Sequence, residues 1–400
     1  MRMVSMGVWI RLLGPVLLLL VTLPPPVAMA AEGEGLEEKV VRTQLDQLHT
    51  EELESFWEEL RREYGRFFPG DQPRDLFDLA GSSGKGATDW KAYLTAFGRY
   101  LFQEVLYNGK LLGTIIVLTV FSMILRTLQT AFERNQVSKI AYAIAFMVII
   151  ILAVDSFSVA VESAQTAISR MIHIMMALVP LVLTLLASMG NLGSVGMFHP
   201  MIVLMIHIIG TLIHAVVFPI LFFSAILSIV SCLSDKYKVN QLAGLLRKVS
   251  VGILGSMLTV FLGIISVQGA TAAVADGVTV RTAKYVTGNF VPVVGRLFSD
   301  AADTVVGASL LVKNAIGLVG VILLLLIIAF PALKILSLAL VYSFSAAVMQ
   351  PLGNSPIIEC LSIISKTLIY IFAALATVGM MFFLAITIIV AAGNISVMIR

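Results

Sequence analysis

The sequence predicts an all-α, polytopic helical membrane protein, and two observations carry most of that expectation. Hydrophobic residues make up 58% of the 400-residue chain and charged residues 13%, against roughly one-quarter charged in ordinary soluble domains. Apolar runs of about 18 residues or more, the length a membrane helix needs, recur from position 111 to the C-terminus. Surface that apolar has to face lipid.

The N-terminus reads differently. Residues 1–30 carry Arg2 and Arg11, an apolar run from 12 to 23, a proline break at 24–26 and the small-residue sequence Ala28-Met29-Ala30. That order predicts a secretory signal peptide cleaved after Ala30, because the apolar run is short for a comfortable span. Residues 31–108 then form a charged, helical, extracytoplasmic segment. Leu36, Val40, Leu45 and Leu48 recur at mostly helical intervals. With Thr50 as N-cap and Glu51 and Glu52 in the first turn, Leu53, Phe56, Trp57 and Leu60 outline a second amphipathic helix. Thr88 or Asp89 would cap a third, carrying Trp90, Tyr93, Phe97 and Leu101. Phe56, Trp57 and Leu60 share one face, which either packs within the segment or meets a partner.

The sequence Gly81-Ser82-Ser83-Gly84-Lys85-Gly86 between these helices has the look of a phosphate loop but not its spacing. Leu79 stands where the first glycine belongs, and Gly86 replaces the hydroxyl residue that holds magnesium. It reads as a flexible linker.

Residues 109–400 form the transmembrane domain. Seven apolar stretches are expected to span: 111–128, 140–160, 168–189, 201–233, 251–275, 315–342 and 367–392. Pro219 and Pro331 fall inside the two longest, which are expected to be kinked, strongly tilted or broken into a span plus a half-helix. With the N-terminus outside, seven crossings leave Arg126, Arg134, Lys139, Arg281, Lys284, Arg296, Lys313 and Arg400 inside. Arg170, Lys236, Lys238, Arg247, Lys248 and Lys366 fall outside, so the basic bias is weak. Residues 236–251 suit a basic amphipathic helix at headgroup level, and 276–313, rich in glycine, a re-entrant or interfacial element.

Charges inside apolar stretches are costly and need a reason to be there. Asp155 and Lys334 are the candidate intramembrane polar sites: they face a polar cavity or pair across helices, or else Asp155 is interfacial and Lys334 snorkels along its stem. His207 and His214 share a face, but about 10 Å of helix rise separates them, too far for one ion, so interhelical hydrogen bonds are the expectation and no metal is implied. Gly252, Gly255, Ser256 and Gly263, and again Gly317 and Gly320, are expected to let helices approach closely, within the chain or between copies of a homo-oligomer. Cys232 and Cys360, distant in sequence, read as small apolar fillers. No nucleophile set, zinc-protease pattern or cofactor motif is present, so catalysis and cofactors are not expected. The charge of +3 is scattered and indicates no nucleic-acid partner.

The run Leu128-Gln129-Thr130-Ala131-Phe132-Glu133 leading to Ser138-Lys139-Ile140-Ala141-Tyr142 joins the first two stretches. With Ala177-Leu178-Val179-Pro180, and Ser188-Met189-Gly190 through Phe198-His199-Pro200, it resembles the stage III sporulation protein AE family of endospore-forming bacteria. The likeness covers nearly the whole chain. It implies a multi-pass protein of the mother-cell membrane around the forespore, acting with sibling stage III sporulation proteins in a channel or secretion complex. It also implies a membrane insertase of the Oxa1 type for assembly. The competing reading is a self-contained secondary transporter or permease-like subunit built around broken helices at Pro219 and Pro331.

Overall fold

In the computed structural model the described residues are 48, 50–67, 90–131, 136–233, 239–290, 294–352 and 355–399. The signal peptide, the first amphipathic helix up to residue 47 and the glycine-rich linker lie outside them. Helix α1 (Glu51–Tyr64) is the first described helix. Thr50 precedes it without a side-chain cap, its hydroxyl bonding instead to the Glu54 carboxylate at 3.3 Å. Glu51, Glu52 and Glu54 in the first turn and Arg61 and Arg62 in the last complement the helix dipole. Helix α2 (Trp90–Tyr107) runs into α3 (Gly109–Ala131) with a bend of 45°.

The rest is a bundle of long helices: α4 (Gln136–Ser188), α5 (Leu192–Leu212), α6 (Phe218–Leu233), α7 (Asn240–Phe290), α8 (Val294–Met349) and α9 (Pro356–Ile399). Helices are the element that satisfies every backbone polar group inside hydrocarbon. Among the described residues five helices are long and apolar enough to cross a membrane, or six if the bent α2–α3 pair is one span. The seven expected stretches therefore lie on fewer helices. The second and third, 140–160 and 168–189, are one continuous helix of 53 residues. Ala160, Ala164, Ala167 and Ile168, all buried, carry α4 through the junction, so the polar residues near Arg170 do not turn the chain.

Of the alternatives expected at the two prolines, the broken helix is corrected. Pro331 lies inside the continuous helix α8. Pro219 follows a π-helical turn, Ile213–Val217, that carries α5 into α6 and accommodates the ring without a break. Residues 240–251 and 276–290 are parts of α7, and 294–313 of α8, so among the described residues these stretches continue long helices and are not separate elements.

Helices α8 and α9 form the centre and pack most extensively on each other, with α4 and α7 flanking them. Small residues set the closest approaches. A Cβ on Gly317 would meet Val390, one on Gly320 would meet Leu178, and one on Gly379 would meet Ile328. Gly252, Gly255 and Gly263, expected to allow close approach within the chain or between copies, have nothing of their own chain within 4 Å. Serines add cross-links between helices: Ser365 donates to Ala339 O at 2.8 Å and Ser224 to Ala243 O at 2.8 Å. Tyr342, fully buried, donates to Leu152 O at 3.0 Å and contacts Ser156 Oγ at 2.9 Å, tying α8 to α4.

Candidate functional site

At 1.5 Å per residue the 53 residues of α4 extend about 80 Å, more than twice the ~30 Å hydrocarbon layer. Only part of α4 can therefore lie in hydrocarbon. Its middle carries Arg170, which reaches Glu59 at 2.9 Å and Glu63 at 2.9 Å on α1. The Arg170, Glu59 and Glu63 side chains are 26%, 52% and 42% exposed, and carboxylates that open are stable only beside water or headgroups. This level of the bundle is wet.

The seat of α1 is mainly apolar. Leu53 is 0%, Trp57 4% and Leu60 2% exposed, packed against α4 and α8. Two of the three residues of the expected partner patch, Trp57 and Leu60, are thus enclosed by the chain's own long helices, and Phe56 is half-buried at the margin. Sequence periodicity found the face correctly but could not say what covers it. Beyond α1, Tyr64 stacks on Phe330 with centroids 3.9 Å apart, and Phe67, Phe97 and Tyr100 close around the same ring. Burial, reinforced by the hydrogen bond Tyr64 donates to Glu63 at 2.8 Å, pushes the Tyr64 phenol above its ordinary range and keeps it neutral. Phe330 is the residue before Pro331, so the aromatic cluster grips α8 at its proline.

The two intramembrane candidates do not come together. Asp155 is exposed on α4, and Lys334 is half-buried on α8, one turn beyond Phe330. Neither forms an ion pair with a described residue.

The buried cation that the sequence reading passed over is Lys313. Expected at the end of a re-entrant or interfacial element, it is 0% exposed within α8. Its Nζ donates to Asn394 Oδ1 at 2.7 Å and to Val390 O at 3.0 Å on α9. Gly393 makes this approach feasible, since a Cβ there would strike both Lys313 Nζ and Leu186. The signal lay in Ala308 to Val312, an apolar turn preceding the lysine where a loop would be polar.

Arg247 was also expected on a solvated face. It turns inward, donating to Ser228 Oγ at 3.2 Å and lying over the Tyr370 ring with 5.0 Å to the centroid. Among the described residues no group of three or more His, Cys, Asp or Glu could hold a metal ion, and His207 bonds within its own helix, to Val203 O at 2.9 Å. The polar groups are suited to fixing helices against one another and to keeping one level of the bundle hydrated.

A long-helix membrane bundle with an acid-rich helix seated at a wet level defines a polytopic membrane protein with a docked N-terminal element. The sequence model of the family described as Stage III sporulation protein AE matches residues 72–393. Stage III sporulation protein AE of Bacillus subtilis (strain 168) is 51% identical over 369 residues, covering 92% of each chain. The chain belongs to the stage III sporulation protein AE family, which places it in sporulation. No solved structure matches it.

Proposed function

We propose that this chain is a membrane subunit of a multiprotein channel or secretion complex linking mother cell and forespore during endospore formation. The family membership, at 51% identity over 92% of the chain, is the observation that carries this reading. In it the protein resides in the mother-cell membrane, catalyses nothing itself, assembles with sibling stage III sporulation proteins and is inserted with help from an insertase of the Oxa1 type. Lipid surrounds the apolar faces, and self-association of copies remains compatible with them.

The orientation in this reading rests on six crossings. Fusion of the two expected spans into α4 leaves six crossings if α2–α3 is one span. The connections after α3, α6 and α8 then share one side, and near them in sequence stand Arg126, Arg134, Lys139, Lys236, Lys238, Arg247, Lys248 and Lys366. A cytoplasmic side so rich in Lys and Arg satisfies the positive-inside preference better than seven crossings do. The N-terminal segment is then extracytoplasmic, as is the C-terminus, in place of the cytoplasmic C-terminus expected from seven spans. The outward face of α1, with Glu51, Glu52, Glu54 and Glu58 exposed and Phe56 at its edge, is available to soluble parts of other subunits.

A self-contained transporter would use half-helix ends at Pro331 as a midplane site, and α8 offers none there. Affinity purification of the tagged chain from sporulating cells, with mass spectrometry of everything retained, tests the proposal. Sibling sporulation proteins are expected in near-stoichiometric amounts. Recovery of the chain alone, with intact protein and mild detergent, would reject the subunit reading.

A further inference from the structure

Where α6 ends and α7 and α9 begin, the seam between the three helices holds an arginine whose partners carry no charge. Arg247 Nη2 donates to Ser228 Oγ at 3.2 Å, and the guanidinium lies over the Tyr370 ring, 5.0 Å from its centroid. Ser228 gives its own proton to Ser224 O at 2.8 Å, so its oxygen is left to receive the arginine. Arg247 Nε is buried without a hydrogen-bond partner, and among the described residues no carboxylate lies within ion-pair distance of the guanidinium. Glu359, the acidic side chain at this end of α9, is exposed and stands about two turns before Lys366. A guanidinium seated among apolar helices with neutral partners alone keeps its charge in a poor solvent, and an anion at its open edge would compensate it. Arg247 is half-buried, so that edge exists.

The surroundings select the anion. Lys366, one turn before Tyr370 on α9, is exposed and adds a second positive charge on the same face as the ring. Leu245 and Val249 on α7 and Ile369 on α9 are exposed apolar residues within a turn of Arg247 and Tyr370, a surface suited to acyl chains. We propose that this seam binds the headgroup of an anionic phospholipid. The phosphodiester oxygens accept from Arg247, whose fork matches them, Lys366 supplies the flanking charge, and the acyl chains follow the exposed apolar residues of α7 and α9. Basic pockets between membrane helices on the cytoplasmic side bind such headgroups, and under six crossings this seam opens on that side. The leaflet rests on the orientation proposed above. The affinity, measured in detergent, depends neither on orientation nor on other subunits, so either can fail without the other.

The test is native mass spectrometry of the full-length protein in detergent micelles, titrated with phosphatidylglycerol and separately with phosphatidylcholine, whose choline neutralises the same phosphate. Wild type should retain a phosphatidylglycerol about 10-fold more tightly than phosphatidylcholine. Arg247→Gln should weaken phosphatidylglycerol binding about 10-fold or more, and Arg247→Lys should restore part of it, since an ammonium keeps the charge but lacks the fork. Lys366→Gln should weaken it about 5-fold, and Lys110→Gln, at an exposed lysine on α3, by less than about 2-fold. Excess inorganic phosphate should leave the lipid bound. Full displacement by inorganic phosphate would assign the site to free phosphate and overturn the proposal. Equal affinity for the two lipids, unchanged affinity in a folded Arg247→Gln, or equal weakening by Lys110→Gln would overturn it too. If Arg247→Gln does not fold, the exposed Lys366 decides, and unchanged affinity in Lys366→Gln rejects the site.

Discussion

Replacement of Trp57 by Ala should release α1 from the bundle far more than removal of its ion pairs does. Trp57 is 4% exposed, and truncating an enclosed tryptophan costs about 3–5 kcal/mol, the transfer term plus the cavity left between α4 and α8. Arg170→Gln removes two ion pairs, but Glu59 and Glu63 are 52% and 42% exposed, so solvent screening leaves about 0.5–1 kcal/mol for the pair of contacts. The difference is readable with trypsin, because Arg61, Arg62 and Arg66 stand in or just after α1 and a docked helix resists cleavage until it opens. At about 1.4 kcal/mol per decade, Trp57→Ala should speed cleavage by about 100-fold or more, up to the rate of the free helix, and Arg170→Gln by only about 2- to 5-fold. The assay is a time course on membrane vesicles with the N-terminal segment accessible, scored by loss of the intact chain. Equal acceleration by the two substitutions would refute the argument that apolar burial, not charge, holds α1.

Other substitutions separate close-packed positions from open ones. Gly320→Ala drives a methyl into Leu178 and should cost about 1–3 kcal/mol, whereas Gly252→Ala meets nothing within 4 Å and should be neutral or slightly stabilising in detergent melting curves. Gly393→Ala should lower the melting temperature by displacing Lys313 and Leu186, and Lys313→Ala in the same chain should recover part of the loss by vacating the space. Tyr342→Phe keeps the ring but deletes the hydroxyl that bonds Leu152 O and Ser156, at a cost of about 0.5–1.5 kcal/mol in the same melting assay.

The sequence by itself determined the class and the faces. A 58% hydrophobic chain with repeated spans' worth of apolar residues leaves few alternatives to a helical membrane bundle, because burial against lipid is a local, additive property of composition. The amphipathic face of α1 was equally legible, since Leu53, Trp57 and Leu60 recur at the helical period whatever they pack against. The family's residues lay on the surface of the sequence too. What only the tertiary structure decided was which apolar stretches are continuous and what each face meets. Whether 160–168 turns or continues depends on packing of Ala164 and Ala167 against neighbours that periodicity does not identify. Lys313 reads as a charge at the end of an interfacial element because its two acceptors, Val390 O and Asn394, arrive from the far end of the chain on α9. Gly252 and Gly320 are the same residue at similar local spacing, and only the approach of Leu178 makes one of them indispensable.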